Sequence, residues 1–126
     1  MDYLFHADPR SAAIDGDEQS IQVRLRSRMK MLAPSVKLVA TPNGMKTTAW
    51  SALKAKSEGM SKGFPDLTVL WIGGVAFLEM KDRNGSLKPE QVDWLNWLHR
   101  AGFPCGMFRS PDTAITFLRK AGAPFV

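Results

Sequence analysis

The clearest structural signal in the chain is a pair of glycines between two apolar runs. Residues rich in β-branched and aromatic side chains lie on both sides of Gly73-Gly74. This pattern is typical of a β-hairpin with a tight two-residue turn. Charged residues occur only at the open end of the hairpin, as Asp66 before the first run and as Glu79 and Lys81 after the second.

The register of this hairpin decides which side chains meet. If the two glycines form the turn, the facing pairs are Ile72 with Val75, Thr68 with Glu79, and Asp66 with Lys81. Side chains alternate between the two faces of a strand. One face then carries Asp66, Thr68, Leu70, Phe77, Glu79 and Lys81. The other face is apolar and carries Leu67, Val69, Trp71, Ala76, Leu78 and Met80.

The charged open end suggests a metal site. Asp66 and Glu79 become diagonal neighbours, with Cα atoms about 7–8 Å apart. Two such carboxylates can hold one divalent cation, and Lys81 reaches the same place. Charged residues also end strands simply because strands end in solvent, and cross-strand charge pairs contribute only about 0.2–1 kcal/mol. Because the surrounding residues are apolar, however, three charged side chains here need partners or a metal.

An ordered set of motifs resembles a known nuclease family. Pro65-Asp66 followed by Glu79-Met80-Lys81 is similar to the PD-(D/E)XK nuclease signature. The wider pattern resembles the VRR-NUC (virus-type replication-repair nuclease) branch, and its parts are Gly63 to Leu67, Leu78 to Lys81, Leu87 to Gln91, and Trp94. The resemblance covers roughly residues 18–118, which is nearly the whole chain.

The resemblance implies an active site that hydrolyses phosphodiester bonds with Mg²⁺ or Mn²⁺. The implied metal ligands are Asp66, Glu79, Glu18 on the first helix, and the backbone carbonyl of Met80. Lys81 would stabilise charge in the transition state or orient the nucleophile, and Gln91 would orient water or phosphate. Apart from the resemblance, Glu18 is also explained by the helix dipole and Gln91 by capping of its own helix.

In its short length the chain resembles the stand-alone members of the VRR-NUC family. Those members tend to be phage or viral proteins that act as dimers on branched DNA. The resemblance therefore suggests a homodimeric endonuclease with a four-way (Holliday) junction as substrate. The alternative is a non-catalytic nucleic-acid-binding module in which the hairpin charges form a structural salt bridge.

Composition and charge are compatible with both interpretations. The 126 residues fit one domain with one core, and 44% hydrophobic and 23% charged residues are ordinary for a globular protein. The net charge of +5 favours a polyanionic partner, nucleic acid first and an anionic membrane surface second. No secretory signal or bilayer-spanning run is recognisable. We expect a cytoplasmic protein of a bacterial or phage-infected host cell, with DNA and no membrane as its partner.

The cysteine and the histidines indicate no further metal site. Cys105 is the only cysteine, which excludes an intramolecular disulfide and a zinc-cysteine cluster. His6 and His99 are isolated from other candidate ligands, and we expect structural or solvent-facing roles for them.

Local patterns predict the remaining elements. Residues 1–16 lack periodicity and predict a loose arm. Asp17 is a candidate N-cap for a helix that begins at Glu18 and stops before Pro34. Residues 36–41 predict a strand, residues 42–44 a turn, and residues 47–58 a helix.

The second half of the chain continues this alternation. Pro89 is a favourable first residue for a helix that ends at Gly102. Residues 103–109 predict a fourth strand, and Ser110 caps a last helix that ends at Gly122. The predicted fold is α/β, a restriction-endonuclease-like PD-(D/E)XK core with a mixed four-stranded sheet flanked by helices in the order α-β-α-β-β-α-β-α.

Five basic residues are candidate phosphate contacts, and these are Arg24, Arg28, Lys54, Lys56 and Lys62. The competing interpretation is that they belong to solvated surfaces. Trp94 and Trp97 lie at helical spacing with an apolar stripe, which favours core or dimer surface over base stacking.

Overall fold

The structure, a computed structural model, describes residues 2–41 and 62–126. Within these residues a mixed sheet carries helices on both faces. Its strands are β1 (His6–Ala7), β2 (Lys37–Ala40), β3 (Leu67–Trp71), β4 (Gly74–Met80) and β5 (Cys105–Phe108). The helices are α1 (Glu18–Leu32), α2 (Pro89–Arg100) and α3 (Pro111–Ala121). The turn predicted at 42–44 and the helix predicted at 47–58 lie outside the described residues.

The strands lie in the order β1-β5-β4-β3-β2. β1 and β4 both run parallel to β5, whereas β4, β3 and β2 are antiparallel to one another in turn. The mixed sheet agrees with the prediction, but the predicted count of four strands was wrong because β1 adds a fifth strand at the edge.

The N-terminal segment is packed, so the prediction of a loose arm over residues 1–16 was wrong. Phe5 and Asp8 are buried, and the Asp8 N–H donates to Met107 O at 2.9 Å. A strand of two residues is too short to produce a periodic pattern. Its place is decided by contacts with residues about 100 positions away along the chain, which no local pattern reveals.

The hairpin forms, but its register differs from the predicted one. Trp71 pairs with Gly74 and Thr68 pairs with Phe77, so the turn residues are Ile72 and Gly73. Gly73 has a φ of 94°, which suits glycine. The predicted pairs of Ile72 with Val75, Thr68 with Glu79, and Asp66 with Lys81 were wrong. The slip is two residues, so every side chain keeps its predicted face.

Two apolar clusters hold the helices to the sheet. α1 and α3 pack on the face that carries Leu67, Val69, Ala76, Leu78 and Met80, as the alternation predicts. α2 packs on the other face through Val92, Leu95 and Leu98, against Cys105, Met107 and Phe77. No helix within the described residues combines the length and the apolarity that a membrane crossing requires.

The helices begin and end where the capping signals predict. Asp17 Oδ1 accepts the Ser20 N–H at 2.8 Å at the start of α1. Ser110 Oγ accepts the Thr113 N–H at 3.2 Å at the start of α3, which ends at Gly122 with a φ of 101°. The Asp17 cap fixes the start of α1 at Glu18.

Candidate active site

The open end of the hairpin brings together the side chains that the sequence singled out. Continued by one residue beyond the last ladder pair, Leu67 with Leu78, the observed register sets Asp66 directly opposite Glu79. Asp66, Glu79 and Lys81 are all buried, with 6%, 1% and 7% of their surface exposed. Three ionisable groups therefore share one largely enclosed position.

Reciprocal hydrogen bonds tie the two carboxylates to the hairpin backbone. The Asp66 N–H donates to Glu79 Oε2 at 3.1 Å, and the Met80 N–H donates to Asp66 Oδ2 at 3.0 Å. Each carboxylate is thus held by the strand that carries the other one. The pair stays close because the backbone donors offset part of the repulsion between the two acids.

Gln91 connects α2 to this pair. Its Nε2 donates to Glu79 Oε1 at 2.7 Å, while its Oε1 accepts the Lys88 N–H at 2.8 Å at the start of α2. The predicted capping role is confirmed, and the same side chain also contacts Glu79. With Asp66 on one oxygen and Gln91 on the other, the carboxylate of Glu79 is held in one orientation.

Glu18 joins the cluster from the first turn of α1. Its pKa is raised from 4.5 to about 7, first by burial and then by the negative charge of Asp66, while Lys81 acts in the opposite direction. Its interaction with the Asp66 side chain raises the pKa further. α1 therefore places a third acid beside the hairpin acids.

Glu79 is the most strongly perturbed of these groups. Burial, followed by repulsion from Asp66, raises its pKa to about 9, and the charge of Lys81 opposes this shift. A carboxyl group that retains its proton above neutral pH indicates a surplus of negative charge in a low-dielectric position. Lys81 compensates for only part of that surplus.

The donor set at this point fits a hard divalent cation. Carboxylate oxygens and backbone carbonyls are the ligands that Mg²⁺ and Mn²⁺ prefer. Within the described residues no three Asp, Glu, His or Cys side chains form a ready-made metal-binding group. Mg²⁺ does not require such a group, because it commonly uses one or two carboxylates and completes its shell with water and substrate phosphate. The raised pKa values of Glu18 and Glu79 also indicate that a positive charge would be stabilised here.

The basic candidates do not converge as the acidic ones do. Arg28 forms an ion pair with Asp112, and Lys62 lies 3.6 Å from Glu90. Arg24 is exposed on α1. Lys54 and Lys56 lie outside the described residues. Their assignment as phosphate contacts remains a prediction.

The aromatic candidates on α2 lie partly at the surface. Trp94 is half-buried and contacts Phe64 edge to face, with ring centres 5.1 Å apart. Trp97 is 54% exposed. Trp94 packs against the apolar cluster under α2, and the preference for core or dimer surface over base stacking stays a prediction.

Sequence reasoning missed a polar cluster beside the site. His6 is not isolated, since its Nε2 lies 2.6 Å from Asp8 Oδ1. Asp8 and Arg109 are both buried and hydrogen-bonded to each other. Each of them directly follows a strand, β1 or β5, and β4 ends beside them. The carboxyl ends of neighbouring parallel strands meet at one edge of a sheet, and this rule would have placed Asp8 beside Arg109. The rule can be applied only after β1 has been recognised as a strand.

Comparisons with known proteins agree with one another. A family model described as VRR-NUC domain matches residues 16–112, which is more than half of the chain. A solved structure described as a VRR_NUC domain protein has a TM-score of 0.68 and 19% identity, covering 86% of this chain and 91% of that one. Another, described as a VRR_NUC domain, has a TM-score of 0.58 and 21% identity, covering 81% and 94%. At these identities the two structures support the fold alone. No curated protein matches the chain.

Proposed function

Because the chain belongs to the VRR-NUC domain family, a nuclease-type family, we propose that it is a metal-dependent endonuclease that hydrolyses phosphodiester bonds in DNA. The observation that supports this most directly is the cluster of three carboxyl groups and one lysine at the open end of the hairpin. Two of these carboxyl groups have raised pKa values. Such perturbed groups are concentrated at functional sites.

The metal would be held by the carboxylates of Asp66 and Glu79, with Glu18 and the backbone carbonyl of Met80 as further contributors. A bound Mg²⁺ or Mn²⁺ supplies Lewis-acid polarisation of the phosphate and an acidified water molecule. The Met80 side chain is fully buried in the core, so only its backbone is available to the site.

The remaining polar groups stabilise charge and orient the acids. Lys81 places a cation beside the carboxylates, where it would stabilise the negative charge that develops on the phosphoryl oxygens. Gln91 holds one oxygen of Glu79, which leaves the orientation of that carboxylate defined before substrate binds.

We extend the proposal to a homodimer that acts on branched DNA, of the stand-alone phage or viral type that the sequence suggests. Trp97 and Phe103 are exposed apolar side chains, at 54% and 38%, and a second protomer would cover such side chains. The net charge of +5 supports a polyanionic substrate.

A purely structural hairpin is less well supported. The ion pairs within the described residues are His6–Asp8, Arg28–Asp112, Lys62–Glu90 and Arg83–Asp15. None of them lies at the open end of the hairpin. A binding module stabilised by a Lys81 salt bridge to Asp66 or Glu79 would need such a contact.

Cleavage of labelled DNA tests the proposal. Four-way junction, flap and linear duplex substrates are incubated with the protein and Mg²⁺ or Mn²⁺, and a parallel set contains a chelator. We expect cleavage only with metal, and we expect Asp66→Asn and Lys81→Ala each to lower its rate by about 100-fold or more. Asp2→Asn and Lys120→Ala change exposed residues of the same charge, and they should retain the wild-type rate.

The outcomes separate the two functional classes. Undiminished cleavage by both Asp66→Asn and Lys81→Ala would reject the proposed site. Tight DNA binding that survives the chelator, with no cut ends on any substrate, would support the non-catalytic binding module. Equal rates on all three substrates would reject selectivity for branched DNA, and a monomeric mass in solution and on DNA would reject the dimer.

A further inference from the structure

Arg109 is a buried arginine whose guanidinium group contacts backbone carbonyls from two separate segments. It directly follows β5 and is 5% exposed. Its Nη1 donates to Asp82 O at 2.5 Å and to Gly85 O at 2.8 Å, and its Nε donates to Asp8 O at 3.1 Å. Burying an arginine is unfavourable unless its donors are satisfied, and here backbone oxygens satisfy them.

The segment that Arg109 binds is the turn immediately after Lys81. Asp82 Oδ1 accepts the Asn84 N–H at 2.9 Å and the Gly85 N–H at 2.8 Å, which closes residues 82–85 into a compact turn. Arg10 holds the same region from the surface, because its guanidinium donates to Arg83 O at 2.6 Å. The turn is thereby held on both sides.

This turn lies against the side chain of Lys81. A Cβ atom built on Gly85 would lie 3.2 Å from Cδ and 3.5 Å from Cβ of Lys81. The aliphatic stem that carries the amine thus borders the space that a side chain at position 85 would occupy. The Lys81 N–H donates to Phe108 O at 3.0 Å, which fixes the backbone of Lys81. The backbone of Gly85 is fixed by Asp82 and Arg109.

We propose that Arg109 is a positioning residue that acts through the 82–85 turn to direct the amine of Lys81. This inference rests on the proposed function, in which Lys81 stabilises charge on the phosphate. A lysine side chain carries about 2 kcal/mol of rotamer entropy. Confining its stem before substrate binds places the amine in advance, and misplacement by about 1 Å can cost on the order of 100-fold in rate.

Two variants that perturb the turn in different ways test this proposal. Arg109→Ala removes the guanidinium group, whereas Gly85→Ala leaves it in place and crowds the Lys81 stem with one methyl group. Gly85 does not have a positive φ, so alanine is compatible with its backbone. Arg119→Met is the control, because Arg119 lies over the ring of Phe125 on another part of the surface.

The measurements are the single-turnover cleavage rate constant, the KM, the DNA affinity with Ca²⁺ in place of Mg²⁺, and the melting temperature. We expect both turn variants to lose about 10- to 100-fold in the rate constant, with KM and DNA affinity within about twofold of wild type. Free guanidinium ion at non-denaturing concentration should restore part of the activity of Arg109→Ala and none of that of Gly85→Ala. Arg119→Met should behave as wild type.

A wild-type rate constant in both folded turn variants would overturn the inference, as would a loss that appears in DNA affinity and not in the rate constant. If Arg109→Ala does not fold, Gly85→Ala decides alone. If the wild-type protein cleaves no DNA with either metal, the proposed function fails and the inference fails with it. If the wild-type protein cleaves DNA and the turn variants cleave it at the same rate, the inference is rejected and the proposed function stands.

Discussion

Glu79 is a nearly fully buried acid whose two carboxyl oxygens each accept a hydrogen bond. It is 1% exposed, and its oxygens accept from the Asp66 N–H and from Gln91 Nε2. Its pKa is nevertheless raised to about 9, mainly by burial and then by the charge of Asp66. The ionised form is therefore destabilised in the folded, metal-free protein, and a proton or a cation relieves that cost.

We predict that the metal-free protein loses stability as the pH rises from about 4.5 to about 9. Between these values the folded state binds more protons at Glu79 than the unfolded state, so the free energy of unfolding falls with pH. Glu18, whose pKa is raised to about 7, adds to the loss between 4.5 and 7. Urea denaturation across this range, with a chelator present, measures the slope.

The matched variant is Glu79→Gln, which cannot ionise. The free energy of unfolding of this variant should fall less steeply with pH. Above about pH 7, where Glu18 has also lost its proton, it should be nearly independent of pH. A wild-type protein that becomes more stable between pH 5 and pH 9 would contradict the raised pKa of Glu79. An unchanged slope in Glu79→Gln would assign the effect to another group.

The hairpin as an element depends on two glycines for different reasons. Gly73 occupies the turn with a positive φ, whereas Gly74 is the first residue of β4 and pairs with Trp71. A Cβ atom on Gly74 would lie 2.4 Å from the indole of Trp71. Trp71 packs against the core cluster beneath the sheet. The ring of Trp71 thus occupies the space that a side chain at position 74 would need.

We predict that Gly74→Ala destabilises the protein by about 1–3 kcal/mol, because the indole must leave its packed position. Gly73→Asn should cost less, since asparagine tolerates a positive φ better than other residues with a side chain. Urea denaturation of both variants measures the difference, and tryptophan fluorescence reports the displaced ring. Equal stability of wild type and Gly74→Ala would show that Trp71 moves without cost.

At the scale of the whole molecule, three neighbouring parallel strands end at one edge. β1, β5 and β4 lie side by side, and they are followed by Asp8, Arg109 and Lys81. Asp8 Oδ2 accepts the Arg109 N–H at 2.9 Å and the Thr113 hydroxyl at 2.5 Å. The first residues of the chain are therefore tied to its last strand and helix, next to the candidate active site.

We predict that Asp8→Ala destabilises the protein by about 3 kcal/mol, because it leaves buried donors without their charged acceptor. Asp8→Asn should cost less, since one amide oxygen can still accept from Arg109 and Thr113. Asp2→Ala is the control, because its side chain is exposed and should leave stability unchanged. Thermal or urea denaturation compares the three, and a silent Asp8→Ala would indicate that the N-terminal segment is dispensable to the fold.

Much of the candidate site was predictable because its residues lie in or beside elements with strong local signals. The alternation of β3 and β4 predicts which side chains share a face, and a two-residue slip in register leaves that prediction intact. The slip does, however, turn Asp66 and Glu79 from diagonal neighbours into residues that face each other. The spacing of Gln91 predicts its capping of α2. The same spacing does not predict that Gln91 donates a hydrogen bond to Glu79. Glu18 was identified only through the family resemblance.

By itself the sequence determined the hairpin, its two faces and the helix caps, because these depend on side-chain periodicity and on backbone preferences within a few residues. Tertiary structure alone decided the strand register at Trp71 and Gly74, the docking of β1, and the contact of Arg109 with the turn after Lys81. These depend on how volumes fit and on which distant donor meets which acceptor. The free energy of such contacts exists only once the chain has been brought together, so no local pattern encodes it.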